Sequence, residues 1–144
     1  MSVSPTREAA CSVLAALPVI MRTVGRCMRE SGGEVSPQQY RILTLLSCAP
    51  RTLSQVAHIQ GVTPATATTM VTTLEHRGWV RRDVDTLDRR RVVVSMTETG
   101  QAALDSAQEV AENAVADLLS PLGERELTRL ADALEVIRRL GASQ

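Results

Sequence analysis

A mainly α-helical fold with one small β-hairpin is predicted by three features of this 144-residue chain. Aromatic residues are almost absent: Trp79 and Tyr40 stand alone and there is no Phe. A core must then be filled by Leu, Val, Ile, Met and Ala, which favours helix packing over a large β-sandwich. Most of the chain carries apolar residues at three- and four-residue steps. Strand-like alternation is confined to one stretch, which turns at Asp83–Asp88 and returns with Val92, Val94 and Met96 on one face.

The elements follow in order. A first helix covers 6–30, where Val13, Leu14, Leu17, Ile20, Met21, Val24 and Met28 recur at helical spacing. Pro18 predicts a kink in it, and Ser31-Gly32-Gly33 ends it. Ser36-Pro37-Gln38-Gln39 opens the next helix with a Ser cap, Pro at the first position and Gln at the third. Its Tyr40, Ile42, Leu43 and Leu46 face the core, and Cys48-Ala49-Pro50 closes it. Thr52-Leu53-Ser54-Gln55 is a second capping box, starting a short helix through Gln60 with Leu53, Val56 and Ala57 inward. Gly61 turns the chain, and Thr63-Pro64 opens a helix whose buried stripe is Ala67, Met70, Val71 and Leu74. Gly78 stops that helix, and the hairpin strands Trp79–Arg82 and Arg91–Met96 follow. Thr97 caps a long helix to Leu119 with Gly100 in its first turn. Leu104, Ala107, Val110 or Ala111, Ala114 and Leu118 line one side of it. Ser120-Pro121 breaks it and starts a last helix, where Leu127, Leu130, Leu134, Ile137 and Leu140 repeat in a coiled-coil-like pattern.

Formal net charge is zero, so no global polyanion-binding signal exists. The distribution is more telling. All 16 basic residues are Arg, and six of them fall between Arg77 and Arg91, against Asp83, Asp85 and Asp88. A basic patch on a neutral protein is a local footprint. The competing reading is a solvated face with ordinary ion pairs. No signal peptide and no apolar run of bilayer-spanning length is expected, since Arg7 and Glu8 stand where a signal core would begin. Cys11, Cys27 and Cys48 are odd in number and lack close metal-ligand spacing, which fits a reduced cytoplasm. His58 and His76, the two histidines, form no triad with a placed nucleophile, and there is no glycine-rich phosphate loop. No enzyme, metal site or cofactor is expected.

Residues 52–78 read as a helix-turn-helix. Ala57 lets the second helix approach, Gly61 turns, and Ala67 and Met70 lock the pair. The hairpin beyond is a basic wing, and together they make a DNA-binding head. Thr66, Thr68, Thr69, Thr72 and Thr73 crowd the exposed face of the second helix. Threonine is a poor helix former, so many on one face indicate a surface chosen for small polar contact. Hydroxyls bond phosphates or base edges, and the methyl contacts thymine. Thr63, Thr66, Thr68, Thr69, Thr73 and Arg77 are therefore the expected contacts of this helix. No Asn and no Arg precedes Arg77 on that face, so specificity is expected to lean on the wing and on DNA shape. Asp88, Arg89, Arg90 and Arg91 form the expected wing site. Arg90 enters a narrow A/T-rich minor groove, its neighbours splay toward phosphates, and Asp88 caps the turn and braces an Arg.

Taken together, these pieces resemble the MarR family of winged-helix regulators over nearly the whole chain. Asp88-x-Arg90 followed by Met96-Thr97-x-x-Gly100 is similar to the family's D-x-R…L-T-x-x-G signature, with Met for Leu. Ser36-Pro37-Gln38-Gln39-Tyr40-x-x-Leu43 and Leu74-Glu75-x-x-Gly78-Trp79-Val80 support it. The resemblance implies one domain over 1–144, with a head at 36–100 and dimerisation helices at 6–30 and 101–144. It implies a homodimer on a pseudo-palindromic operator, acting usually as a repressor relieved by a small phenolic or hydrophobic effector. Residues 13–28, 40–46 and the start of helix 97–119 are the pocket candidates under that analogy. Some relatives are organic-peroxide sensors with a reactive Cys in the first helix. Cys11 lies at the matching interval before Pro37, but Ala15 and Gly25 replace the sensors' partner tyrosines. Without hydroxyls to stabilise a thiolate, Cys11 is expected to be inert. Redox sensing through Cys11, or a helical interaction module without DNA binding, are the alternatives.

Overall fold

The computed structural model describes residues 4–142. Six helices and three short strands follow in the order α1 (Pro5–Glu30), α2 (Pro37–Cys48), β1 (Arg51–Thr52), α3 (Leu53–Gln60), α4 (Pro64–His76), β2 (Val80–Val84), β3 (Val92–Met96), α5 (Glu98–Leu119) and α6 (Glu124–Ala142). Both capping boxes form. The Gln39 amide donates to Ser36 Oγ at 3.2 Å while the Ser36 amide donates to Gln39 Oε1 at 2.9 Å. Thr52 and Gln55 repeat the exchange at 3.1 and 2.9 Å. Each pair satisfies amides that a helix start leaves without partners. Gly61 closes the helix-turn-helix turn at φ 65°, a left-handed conformation that a side chain would strain.

The head has a closed core. Ile42, Leu43, Val56, Val71, Leu74 and Val94 are its largest fully buried side chains. They come from α2, α3, α4 and β3, so the sheet and the helix-turn-helix share one interior. β2 and β3 pair antiparallel from Val80↔Met96 to Val84↔Val92. Hairpin pairing was legible, but a third strand was not: β1 pairs with β3 through Arg51↔Val94 and Thr52↔Val93. Two residues are too short to alternate visibly, and Thr52 also serves as the cap of α3. α1 runs through Pro18 to Glu30, as the 6–30 reading has it. Two other boundaries differ from expectation. α6 starts at Glu124 rather than at Pro121, since Leu122 and Gly123 still belong to the turn. β2 extends to Val84, two residues past Arg82, because pairing with Val93 and Val92 continues it.

The terminal helices behave differently. α1 packs on α5 and α2, burying Gly25 and Met28 near its end, yet Val13, Leu14, Leu17, Ile20 and Met21 stay exposed. No described residue of α6 is buried, and Leu127, Leu134, Val136, Ile137 and Leu140 all face outward. One expectation is corrected here. α1 is long and apolar enough to cross a membrane by length and composition, with a mean hydropathy of 1.4 over its best 18-residue window. Its charges gather at the two ends, Arg7 and Glu8 on one side and Arg22 onward on the other, which leaves residues 9–21 uncharged.

Candidate DNA interface

The wing is joined to the long helix through Thr97. Its amide donates to Trp79 O at 3.0 Å, its hydroxyl donates to Gly78 O at 2.6 Å, and the same oxygen accepts from Gly100 N at 3.1 Å. Gly100 is buried where α5 presses on the chain leaving α4. A Cβ there would overlap the Trp79 carbonyl oxygen and lie 2.9 Å from Met96 Cγ. The Thr-x-x-Gly spacing is thus a joint: a cap that grips the Gly78–Trp79 turn leading into β2 and a bare backbone that lets the helix reach it.

α4 presents the threonines as expected. Thr63 caps the helix, accepting from Thr66 N at 3.2 Å. Thr66, Thr68, Thr69 and Thr73 are exposed, and Thr72 is half-buried. Arg82 of β2 accounts for the burial of Thr72. Its guanidinium grips Glu75 through two bonds at 2.9 and 3.1 Å and donates to Thr72 Oγ1 at 3.2 Å. This fork fixes the wing's base to the back of α4, lowers the Glu75 carboxyl below its ordinary value of 4.5 by hydrogen bonding, and raises the Arg82 guanidinium. By charge alone Arg82 is only one member of the basic patch. The signal, Glu75 seven residues before Arg82 across a glycine turn, is visible only once the turn's geometry is known.

Arg77 lies elsewhere than its neighbours. It forms the C-cap of α4, donates from Nη1 to Glu34 O at 2.8 Å, and lies over the Trp79 ring with its guanidinium carbon 4.7 Å from the centroid. These contacts point it toward the α1–α2 loop. Trp79, Glu34 and Val35 line a cavity of about 430 Å³, together with Met28 of α1 and Thr99, Ala103 and Ser106 of α5. Met28 and the start of α5 fall within the segments expected to form a pocket. Residues 40–46 do not line it, and Tyr40 instead faces a separate groove with Val24 and Ala111.

At the wing tip the turn is built on two aspartates. Leu87 N donates to Asp85 Oδ1 at 2.9 Å, and Arg90 N donates to Asp88 Oδ1 at 3.0 Å. Asp85 N and Arg91 O close the loop at 2.9 Å. Asp88 therefore caps the turn, but it braces backbone and makes no ion pair with an arginine among the described residues. The Arg89, Arg90 and Arg91 side chains are exposed, and Leu87 projects at 96% exposure. Arg90 and Arg91 also flank a cleft of about 620 Å³ whose other wall is Ser54, Gln55 and His58 of α3. Cys11 is exposed on α1, with no hydrogen-bond partner among the described residues.

Comparison with known proteins places this architecture. A family model described as "MarR family" matches residues 35–92. The transcriptional regulator HosA of Escherichia coli is 30% identical over 95 residues, which cover 65% of this chain and 70% of HosA. An uncharacterized HTH-type transcriptional regulator of Bacillus subtilis, YwaE, is 39% identical over 51 residues, 35% of this chain and 30% of that protein. The crystal structure of wild-type apo MarR from Escherichia coli superposes with a TM-score of 0.77 at 19% identity, covering 95% of this chain and 98% of that one. Its likeness extends the shared fold to the terminal helices that the family model leaves out. The chain belongs to the MarR family of winged helix-turn-helix transcriptional regulators, which are DNA-binding proteins rather than enzymes.

Proposed function

We propose that this chain forms a homodimer that binds a pseudo-palindromic duplex and represses transcription until a small, largely apolar effector enters the cavity beside Trp79. The observation that carries the DNA reading is spatial. The exposed threonine face of α4 and the outward arginines of the wing belong to one rigid head, tied by the Arg82–Glu75 fork. A helix in the major groove and Arg90 in the flanking minor groove is the docking this arrangement supports. Thr63, Thr66, Thr68, Thr69 and Thr73 supply the helix contacts, and Arg89 and Arg91 the phosphate contacts. Arg77 is assigned a different task, holding the end of α4 against the α1–α2 loop.

Dimerisation is supported by the exposed apolar faces of α1 and α6. Such faces are costly in water, at roughly 25 cal/mol per Å² of apolar surface. Since α1 lies within the fold shared with the MarR crystal structure, its apolar length is better spent against a second copy than across a bilayer. Two heads so joined present their α4 helices about one turn of B-DNA apart, roughly 34 Å.

The cavity offers a route for release. Glu34 and Trp79 line it and are also the two partners that hold Arg77 at the end of α4. A ligand that displaces the Trp79 ring alters the seat of Arg77 and with it the tilt of α4. Its leverage equals its differential affinity for the two head positions. A pocket of about 430 Å³ lined mostly by apolar and small side chains suits a small phenol or similar hydrophobic molecule.

The test is selection of bound duplexes from a random pool, followed by gel shift with salt titration and competitor DNA. A palindromic product bound tightly, with affinity falling steeply as salt rises, is the expected result. Enrichment of no sequence would sink the reading. Addition of candidate phenols and other small hydrophobic molecules should then weaken the complex, and Trp79→Ala should blunt that response.

A further inference from the structure

The exposed face of α4 carries no charged or amide side chain between Pro64 and Glu75. Bidentate reading of guanine or adenine by Arg, Asn or Gln is therefore absent from that face. What it offers instead is set by where the threonine protons go. Thr68 donates to Pro64 O at 2.9 Å, Thr69 to Ala65 O at 3.1 Å and Thr73 to Thr69 O at 3.1 Å. Thr63 and Thr66 share one bond at 2.9 Å. A hydroxyl has a single proton. Once it is donated inward, the oxygen can only accept, and the γ-methyl is the remaining apolar group of the side chain. Ala65 adds another methyl to the same exposed face.

A row of methyl groups has one apolar complement in the major groove. An A·T pair carries the thymine C5-methyl at the edge of its groove face, separated from the adenine N6 amino donor by the thymine O4. A G·C pair has the cytosine N4 donor but no methyl. Resting on the DNA-binding reading above, we infer that α4 selects A·T pairs through thymine methyl groups, with Thr66, Thr69 and Thr73 as the reading row. These three follow one another at steps of three and four residues, so they share a face. Thr69 sits at its centre, opposite the buried stripe of Ala67, Val71 and Leu74. The threonines are then specificity-determining through their methyl groups and not through their hydroxyls.

Two substitutions separate those groups. Thr69→Val keeps the branched methyl and removes the hydroxyl, whereas Thr69→Ser does the reverse. The operator can be altered in parallel by replacing each thymine with deoxyuridine, which removes only the C5-methyl. Affinity would be read by fluorescence anisotropy on the selected duplex with the full-length protein, at several salt concentrations. Deoxyuridine within the half-sites should weaken binding about 3- to 10-fold at an unchanged salt slope, because phosphate contacts are untouched. Thr69→Ser should lose affinity for the thymine operator and be indifferent to deoxyuridine there, while Thr69→Val should bind as the parent does. Salt-dependent binding that ignores deoxyuridine, or a loss with Val and not with Ser, would overturn methyl reading and leave DNA binding standing. Absence of any salt-dependent binding to duplex would overturn both.

Discussion

The head and the terminal helices are built from the same residues to different ends. In the head, Ile42, Leu43, Val56, Val71, Leu74 and Val94 bury almost completely within one chain. In α6, an equally regular stripe of Leu134, Ile137 and Leu140 stays between 45% and 66% exposed. Periodicity is alike in both, so periodicity alone does not say whether a stripe finds its partner inside the chain. What differs is the neighbour. The helices of the head pack back on each other and on the sheet through short turns, while α6 runs on from α5 with little of the chain to cover it. A closed core can be judged from one chain, and an open stripe is where the proposed second copy would pack.

That contrast can be broken by placing charge on the open stripe. The paired change Leu134→Asp and Ile137→Asp should convert the proposed dimer to monomer in sedimentation and abolish operator binding, while the circular dichroism of the head persists. A variant that remains dimeric would show that α6 is covered by something other than a second copy. Next in size, Gly100→Ala should destabilise the fold by about 3 kcal/mol in urea denaturation. Its methyl has nowhere to go between the Trp79 carbonyl and Met96. A cost near zero would mean that α5 and the sheet are free to separate, and that the joint is looser than Thr97 makes it.

Smaller effects concern the wing. Arg90→Ala should weaken operator binding about 10-fold and reduce the salt slope by about 1, with an unchanged melting temperature. Unchanged affinity would remove groove insertion by this residue. The fork between Arg82 and Glu75 carries a pH signature. Because the Glu75 carboxyl titrates below its ordinary 4.5 when folded, its contribution is present above that value and is lost as pH falls through the lower, folded one. Relative to Glu75→Gln, the parent should therefore lose its margin on acidification below about 4.5, and a constant difference would show that the fork adds nothing. Half-exposure of both partners keeps the effect small. Smallest of all, Cys11→Ser should leave the response to organic peroxide as it was. A wild type that releases DNA on oxidation, beside a mutant that does not, would restore redox sensing.

Much of the site was legible because its signals are local. Ser36 and Gln39, Thr52 and Gln55, and Thr97 and Gly100 each lie three residues apart, so helix geometry alone brings them together. The Asp88 turn and the exposed threonines follow from similarly short rules. Arg77 and Arg82 were less visible for the opposite reason. Both belong to one basic run in sequence, yet their partners are Glu34, three helices earlier in the chain, and Glu75, across the Gly78 turn. Charge counting puts both in one basic patch, with Arg77 expected among the contacts of α4 and Arg82 given no contact of its own, and only the path of the backbone separates them from Arg89, Arg90 and Arg91.

By itself the sequence determined the six helices and the two hairpin strands, the caps that open α2, α3, α4 and α5, and which face of each helix is apolar. Those properties depend on hydrogen bonds and steric preferences that reach no further than four residues. Tertiary structure alone decided that β1 completes a three-stranded sheet, that Gly100 must be bare to meet Trp79, and that the cavity beside Trp79 shares residues with the seat of Arg77. Each of these joins groups far apart along the chain, and their meeting is fixed by how the helices pack, which no local pattern encodes.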